Sequence, residues 1–291
     1  MKKTVIILGI LIIGCLNALN AQDIEDLMKE NKPKEYVIAT FKGTRAINFH
    51  TIEVPGPKTL EFRISHRFGT LNSGAYNLWG LDGGANIRFG LEYSIDGRFE
   101  FGLGRTSTDK VFDGFLKYKL FRQTTDNKMP FSLTLFSSMF YTTLKDPYTD
   151  GVAYYPYATS RMSFCNQLLI ARKFGSRFSM ELIPSMVHYN QVDQLEDKND
   201  VYLLAGIGRF KVSRSTAITA EYGLRLNKYT NQEYYDSFGI GFDIETGGHV
   251  FQMVFTNSFG LIEPQFYPHT TDSWSKGGIR FGFNISRVFT L

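Results

Sequence analysis

The stretch Ala85-Asn-Ile-Arg-Phe-Gly-Leu-Glu-Tyr-Ser-Ile-Asp-Gly-Arg-Phe-Glu-Phe-Gly-Leu-Gly-Arg105 decides the fold. Its odd positions up to Ile95 are Ala85, Ile87, Phe89, Leu91, Tyr93 and Ile95. Its even positions are Asn86, Arg88, Gly90, Glu92 and Ser94. Successive side chains of a strand point to opposite faces, so this pattern predicts a strand with one apolar and one polar face. Phe99, Phe101 and Leu103 then alternate with Glu100, Gly102 and Gly104. Paired strands must show their apolar residues on the same face. Ile95 and Phe99 do so across a three-residue loop, and Gly97 inside it suits a bulged turn.

The same alternation recurs on both sides. Leu60, Phe62 and Ile64 oppose Glu61, Arg63, Ser65 and Arg67. From Val111 to Leu120, Phe112, Leu116, Tyr118 and Leu120 oppose Asp113, Lys117 and Lys119, with Phe115 as an exception. Ile218, Ala220, Tyr222 and Leu224 oppose Glu221, Gly223 and Arg225. Similar patterns lie near 131–141, 158–172, 177–188, 235–245, 249–257 and 277–289. The segment Val201 to Val212 starts apolar on odd positions and finishes on even ones, which predicts a bulge. Phe174-Gly-Ser-Arg-Phe178 repeats the three-residue turn, and Gly247-Gly248 supplies a two-residue one. Short turns fall at 96–98, 123–130, 175–177, 213–215 and 246–248; long loops fall at 69–84, 142–157, 189–199, 227–234 and 259–276. The short 107–109 connection belongs with the long loops by alternation. Counted from Leu60, this gives about twelve strands with both ends on the short-turn side. A further strand from Tyr36 to Val54 would put the N-terminus on the wrong side. That stretch is therefore expected as a periplasmic or lumen-tucked segment turning at Pro55-Gly56-Pro57.

Composition narrows the class. The 291 residues are 43% hydrophobic, 21% charged and 15% aromatic, with 27 Gly and 9 Pro. So many aromatics exclude a disordered chain. No apolar stretch of about 20 residues is present, which excludes a polytopic helical membrane protein. The net charge of +4 is thinly spread without a Lys/Arg cluster, so no nucleic-acid partner is expected. The N-terminus reads as a secretory signal: Lys2 and Lys3, an apolar stretch from Thr4 to Gly14, then Cys15-Leu-Asn-Ala-Leu-Asn-Ala21. Cleavage is expected after Ala21, with a lipobox ending at Cys15 as the alternative. Cleavage removes Lys2 and Lys3, which lowers the net charge from +4 to +2, and leaves Cys165 as the sole cysteine. Residues 22–35 suit a short helix before Pro33.

Alternation alone does not say whether the apolar face meets a protein core or lipid. Three features favour lipid. The strands are long and numerous, with loops of very unequal length. The polar face repeatedly carries full charges, which suits a hydrated interior. The chain ends in Ile279-x-Phe281-x-Phe283-x-Ile285-x-Arg287-x-Phe289-x-Leu291. Such a terminal strand resembles those of bacterial outer-membrane barrels, although Leu291 stands where an aromatic residue is usual. The alternative, a soluble β-sandwich, would set fewer charges opposite its apolar face. The expectation is an all-β chain: a signal peptide (1–21), an N-terminal segment (22–58) and one closed antiparallel transmembrane β-barrel (59–291) in the outer membrane.

Several phrases resemble an uncharacterised family of outer-membrane β-barrel proteins from Bacteroidota. They are Thr40-Phe-Lys-Gly-Thr-Arg45, Ile64-Ser-His-Arg-Phe-Gly69, Asn77-Leu-Trp-Gly-Leu-Asp82, Ile87-Arg-Phe-Gly-Leu-Glu-Tyr93 and Asp113-Gly-Phe-Leu-Lys-Tyr-Lys119. The resemblance is densest from 40 to 123. It implies fold and location, and no activity.

By alternation the inward charges include Glu61, Arg63, Arg67, Arg88, Glu92, Glu100, Arg105, Asp113, Lys117, Lys119, Glu181, Glu221, Arg225, Asp243 and Arg280. Twelve strands lie between barrels filled by side chains and those with a water channel. These charges either pair across the lumen and rigidify it, or form a constriction that selects small polar solutes. The functional expectation is a porin-like narrow channel or transporter in contact with outer-membrane lipid. The alternative is a non-conducting scaffold for a periplasmic or surface partner. No catalytic role, cofactor or metal is expected: His50, His66, His188, His249 and His269 are scattered without ligand spacing, and His66 falls on the lipid-facing register. Gly102, Gly104, Gly206 and Gly208 sit inside strand patterns, where glycine eases curvature. The acidic loop Asp193 to Asp200 reads as solvated, with weak Ca²⁺ binding as its sharper reading. Tyr148, Tyr154, Tyr155 and Tyr157 read as an interfacial aromatic belt, with stacking on a sugar as the sharper reading. Asn284-Ile-Ser286 is a glycosylation sequon only in pattern, since it lies within a strand.

Overall fold

In the computed structural model, Tyr36 to Leu291 form one unit. The structure describes residues 34–146, 148–149, 152–192, 197–227 and 233–291. The expected signal peptide, the expected helix before Pro33 and the start of the acidic loop lie outside them.

The wall comprises β1 (Thr59–Thr70), β2 (Asn86–Ser94), β3 (Phe99–Thr106), β4 (Val111–Phe121), β5 (Ser132–Thr142) and β6 (Met162–Lys173). It continues with β7 (Phe178–Tyr189), β8 (Asp200–Lys211), β9 (Thr216–Arg225), β10 (Ser237–Thr246), β11 (His249–Thr256) and β12 (Arg280–Thr290). Each strand pairs antiparallel with the next, and β12 pairs with β1 to close the barrel of twelve strands. Closure leaves no open sheet edge, which is what allows a sheet to sit in lipid. The connection from β11 to β12 carries a short helix, α1 (Glu263–Phe266).

The turns follow the expected arithmetic. Ile95 N donates to Phe99 O at 2.9 Å around Gly97, whose φ of +78° lies in the left-handed region that glycine tolerates. Phe174 N donates to Phe178 O at 2.8 Å, and Thr246 pairs with His249 around Gly247-Gly248. The tight turns share one end of the barrel and the long loops share the other. Outward residues such as Phe89, Leu91, Leu103, Leu116 and Met180 stay exposed, and so continuous an apolar surface requires a lipid surrounding.

Two local expectations are corrected. β8 runs from Leu203 to Lys211 against β9, and from Asp200 to Phe210 against β7, with no register shift, so the bulge expected in 201–212 is absent. Its odd residues Val201, Leu203, Ala205 and Ile207 are apolar and still face the interior. Outward Gly206 and Gly208 blurred the contrast between the two faces. The register shifts instead lie between Arg67 and Thr70, and between Lys119 and Phe121. Pro184 lies within β7. The pairing of β6 with β7 breaks off at Gln167 with Ser185 and resumes at Ile170 with Leu182, as a residue without an N–H dictates.

The segment before β1 runs inside the barrel. Val37 N donates to Gln123 O, and Lys58 N donates to Ile95 O, so it enters and leaves at the short-turn end. Between these points it forms a hairpin, with Ala46 N donating to Phe49 O and Thr51 N to Thr44 O, both at 2.9 Å. The side chains of Phe41, Ile47, Phe49, His50 and Ile52 are buried. This hairpin, residues 36–58, is called the plug below.

Candidate functional site

Plug and wall together fill the lumen, and the wall has two chemically distinct sectors, one of eight strands and one of four. The polar sector spans β9 through β12 and on through β1 to β4. On it, Glu61 Oε1 lies 2.5 Å from Arg63 Nη2, and that guanidinium also donates to Thr44 Oγ1 of the plug at 2.7 Å. Arg88 grips Asp113 with two hydrogen bonds, Nε at 3.0 Å and Nη2 at 2.5 Å. Lys117 Nζ pairs with Glu100 at 3.2 Å and donates to the plug carbonyl of Glu53 at 3.1 Å. All six of these ionisable wall residues are buried, so each needs its partner.

The plug tip is read through its backbone. The Glu221 carboxylate accepts from the amides of Ile47 (3.1 Å), Asn48 (3.0 Å) and Phe49 (3.3 Å), and from Asn48 Nδ2 (2.9 Å). Hydrogen bonds to a charged acceptor contribute about 1.5–3 kcal/mol each. Arg67 donates to Asn48 Oδ1 (2.9 Å), to Ile47 O and to Asn284 Oδ1, while Asn284 Nδ2 donates to Ile47 O at 2.9 Å. Gln252 bridges Ala46 O and Asp243 Oδ1. The sequon Asn284 is thus buried in this network. Glycine makes room here: a Cβ on Gly223 would lie 2.7 Å from Tyr267 and 2.8 Å from Phe49.

The remaining four strands, β5 through β8, carry the wall's largest apolar cluster on their inner face, interleaved with buried polar residues such as Thr134, Gln167, Glu181 and Arg209. Phe136, Phe140, Cys165, Leu169, Ile183, Val187, Leu203 and Ile207 are buried there as one cluster with the plug. Phe49 packs edge-on against Phe266 (4.8 Å) and Tyr267 (4.7 Å) of the folded-in β11–β12 connection. The Phe115 exception is explained: its ring faces inward and lies 4.7 Å from His50, with Phe136 on the same imidazole at 4.2 Å. A Cβ on Gly102 would collide with the Phe115 ring, so this glycine serves packing as well as curvature. Glu181, on this sector, accepts from Ile52 N at 3.1 Å.

Most of the expected inward charges meet here. Glu61, Arg63, Arg67, Arg88, Glu92, Glu100, Asp113, Lys117, Glu181, Glu221 and Asp243 are buried in the interior. Lys119 lies near the short-turn mouth and pairs with Glu53 of the plug at 3.4 Å. Arg225 and Arg280 lie at the long-loop end, where Arg225 contacts Asp236 and Arg280 donates to Asp272. Arg105 is a correction. It is exposed on the outer wall, with its guanidinium 5.2 Å from the Phe112 ring. It shares the parity of Phe99, Phe101 and Leu103, and so follows them outward. His66 is outward as expected, stacked on Phe283 at 5.1 Å.

Sequence reading missed four contributors, Arg209, Arg45, His50 and Glu263. Arg209 faces the interior from the segment misread as bulged. Arg45 of the plug lies 3.5 Å from Glu263 of α1, and His50 Nε2 lies 3.6 Å from the same carboxylate oxygen. More than 200 residues separate these partners in the chain, and no local pattern marks the meeting.

Residues 41–289 match the family described as membrane bound beta barrel domain (DUF5777), and the chain belongs to it. No curated protein matches the chain. Among solved structures, the NanC porin is 7% identical, with 80% of this chain and 99% of that chain covered and a TM-score of 0.49. The Acinetobacter baumannii outer membrane protein Omp33 is 6% identical, covering 80% and 98%, with a TM-score of 0.44. Salmonella typhi OmpF in complex with daunomycin is 9% identical, covering 79% and 97%, with a TM-score of 0.39. Likenesses this distant carry no functional argument.

Proposed function

We propose that this member of the membrane-bound β-barrel domain family is a plugged outer-membrane channel or transporter for small polar solutes. Secretion begins with cleavage after Ala21, the tight turns face the periplasm, and the long loops face outward. The observation that carries this reading is how the plug tip is held. Its backbone is bound by Glu221, Arg67, Asn284 and Gln252, groups whose hydrogen bonds water can replace. A plug seated this way gives up polar contacts that water can replace, while it uncovers the apolar cluster on β5 to β8. Once it leaves, Arg63, Glu61, Lys117 and Glu100 line a hydrated passage whose mixed charges select among small polar solutes. The family match begins at residue 41, so it takes in the plug as well as the wall. No step of this reading calls on enzymatic chemistry.

Glu221→Ala tests the proposal in planar bilayers and by liposome swelling. The wild-type chain is expected to conduct rarely. The variant, with three plug amides left without their acceptor, is expected to open often and to admit small sugars and amino acids. A variant whose barrel is folded by heat-modifiable gel mobility, yet is as silent as the wild type, sinks the proposal.

A further inference from the structure

We propose that the long-loop mouth carries a binding site for neutral saccharides, seated in an aromatic cleft above the apolar cluster of the lumen. The cleft has a volume of about 310 Å³, at the small end of the range for ligand sites. Its floor is apolar, made of Phe140, Val111 and Ile262.

Two pairs of tyrosines line it. Tyr154 and Tyr155 meet edge to face at 4.7 Å in the β5–β6 loop. The Asp146 carboxylate fixes this pair by accepting from Tyr154 N at 2.8 Å and Tyr155 N at 3.2 Å. The Arg161 guanidinium lies 4.4 Å from the Tyr155 ring and donates to Leu144 O at 2.7 Å. On the second wall, Tyr189 and Tyr234 flank His269 at 5.2 Å and 5.0 Å. Tyr189 Oη donates to Pro264 O at 2.6 Å, which ties that wall to the folded-in β11–β12 segment. The rings are thus fixed before a ligand arrives, and preorganised aromatic surface binds at low entropic cost. Gln191, Gln265 and Asp109 add planar polar groups, with Gln265 Nε2 donating to Asp109 at 2.9 Å.

This placement separates the site from an aromatic belt. Belt rings point from strand ends into the lipid interface. Tyr189 instead has the inward parity of Ser185 and Val187, and Tyr154 and Tyr155 line the cleft. A pyranose ring offers apolar C–H faces to aromatic rings and hydroxyl edges to amide and carboxylate groups. Asp109 lines the cleft and accepts from a neutral amide, Gln265 Nε2, while Arg161 is engaged by Asp146 and Tyr155. The charge balance therefore disfavours acidic sugars. The site rests on the proposed function only for the side from which it is reached, since binding requires no conduction.

Saturation-transfer NMR on the full-length barrel in detergent tests it, with maltose and methyl β-D-glucopyranoside as probes. Glucuronate and p-cresol serve as the acidic and purely aromatic comparators. The neutral sugars are expected to give saturable signals that weaken about tenfold in Tyr155→Ala. Tyr234→Ala, on the opposite wall, provides a second variant should the first misfold. Asp96→Ala, in the β2–β3 turn at the opposite end of the barrel, is expected to leave binding unchanged. The proposal is overturned if neither sugar binds, if glucuronate or p-cresol binds better, or if both tyrosine variants bind as the wild type does.

Discussion

β1 to β4 and β5 to β8 share one outward chemistry, apolar and lipid-facing, but place opposite chemistry in the lumen. The first group sets Arg88 against Asp113 and Lys117 against Glu100. The second sets Phe136, Leu169, Ile183 and Leu203 against the plug. The difference lies in what each contact demands. Charge-assisted hydrogen bonds need one partner at one distance and angle, so Glu221 on the tip amides and Arg67 on Asn48 fix the register of the plug, while the ion pairs fix the wall beside it. Apolar packing needs volume and tolerates rearrangement. On the β5–β8 side the plug backbone is held at Ile52, whose N–H donates to Glu181 and whose carbonyl accepts from Thr134.

The largest expected effect comes from breaking a pair on the polar sector. Arg88→Met leaves Asp113 buried without its guanidinium and is expected to cost about 3–5 kcal/mol in urea unfolding from lipid vesicles. Adding Asp113→Leu should restore most of that loss. Arg88→Lys should not, because it cannot reproduce the two-pronged grip. If the double variant proves as unstable as the single, the pair is not the source of stability.

Phe49→Ala, facing Phe266 and Tyr267, is expected to cost about 3 kcal/mol in the same assay. Here the conservative change should succeed: Phe49→Leu is expected to lose less than about 1.5 kcal/mol. Equal intolerance of Phe49→Leu and Arg88→Lys would erase the contrast between apolar packing and ion pairing.

On β1 to β4 both the strands and their inner faces were legible in the sequence; on β5 to β8 the strands near 131–141, 158–172 and 177–188 were legible, but the register of β8 was not, for one physical reason. Alternation reveals a strand when its two faces differ. On β2, Arg88 and Glu92 stand against Phe89 and Leu91, and both the strand and its inner face can be read directly. On β8, Val201, Leu203, Ala205 and Ile207 face inward while Tyr202, Leu204 and Phe210 face outward, so the contrast vanishes and a bulge was inferred. The plug was legible only as a strand too many, since nothing local in Tyr36 to Val54 shows that Glu221 will accept its amides. The meeting of Arg45, His50 and Glu263 depends on a loop that folds in from the far end of the chain. Turn chemistry, by contrast, is local, and the turns at Gly97, Gly175 and Gly247-Gly248 stand where the sequence implied.

A smaller effect is expected where the plug seats against glycine. Gly223→Ala pushes a methyl group toward Phe49 and Tyr267 and should cost about 1–3 kcal/mol by overpacking. Unchanged unfolding would mean that the plug tip is not packed there.

The smallest effect lies outside the membrane, in the β2–β3 turn. Asp96 accepts from Phe99 N at 2.7 Å and Arg98 N at 2.9 Å, and these bonds hold its carboxyl below the usual range. A depressed folded pKa adds stability above the unfolded value of about 3.9, and that stability is lost as pH falls through the folded value. Asp96→Ala should therefore lower the unfolding midpoint slightly at neutral pH, with the difference vanishing in acid. A difference that persists at low pH would assign the effect to something other than the carboxylate.

The proposed function requires a plug that closes the lumen and is seated by exchangeable polar contacts. Its most direct test is the planar-bilayer conductance of the full-length wild-type barrel, with urea kept below the concentration that unfolds the wall. The expected result is a quiet barrel in buffer and a reversible rise in conductance as urea loosens the plug. A barrel that stays silent until its strands unfold would contradict the account.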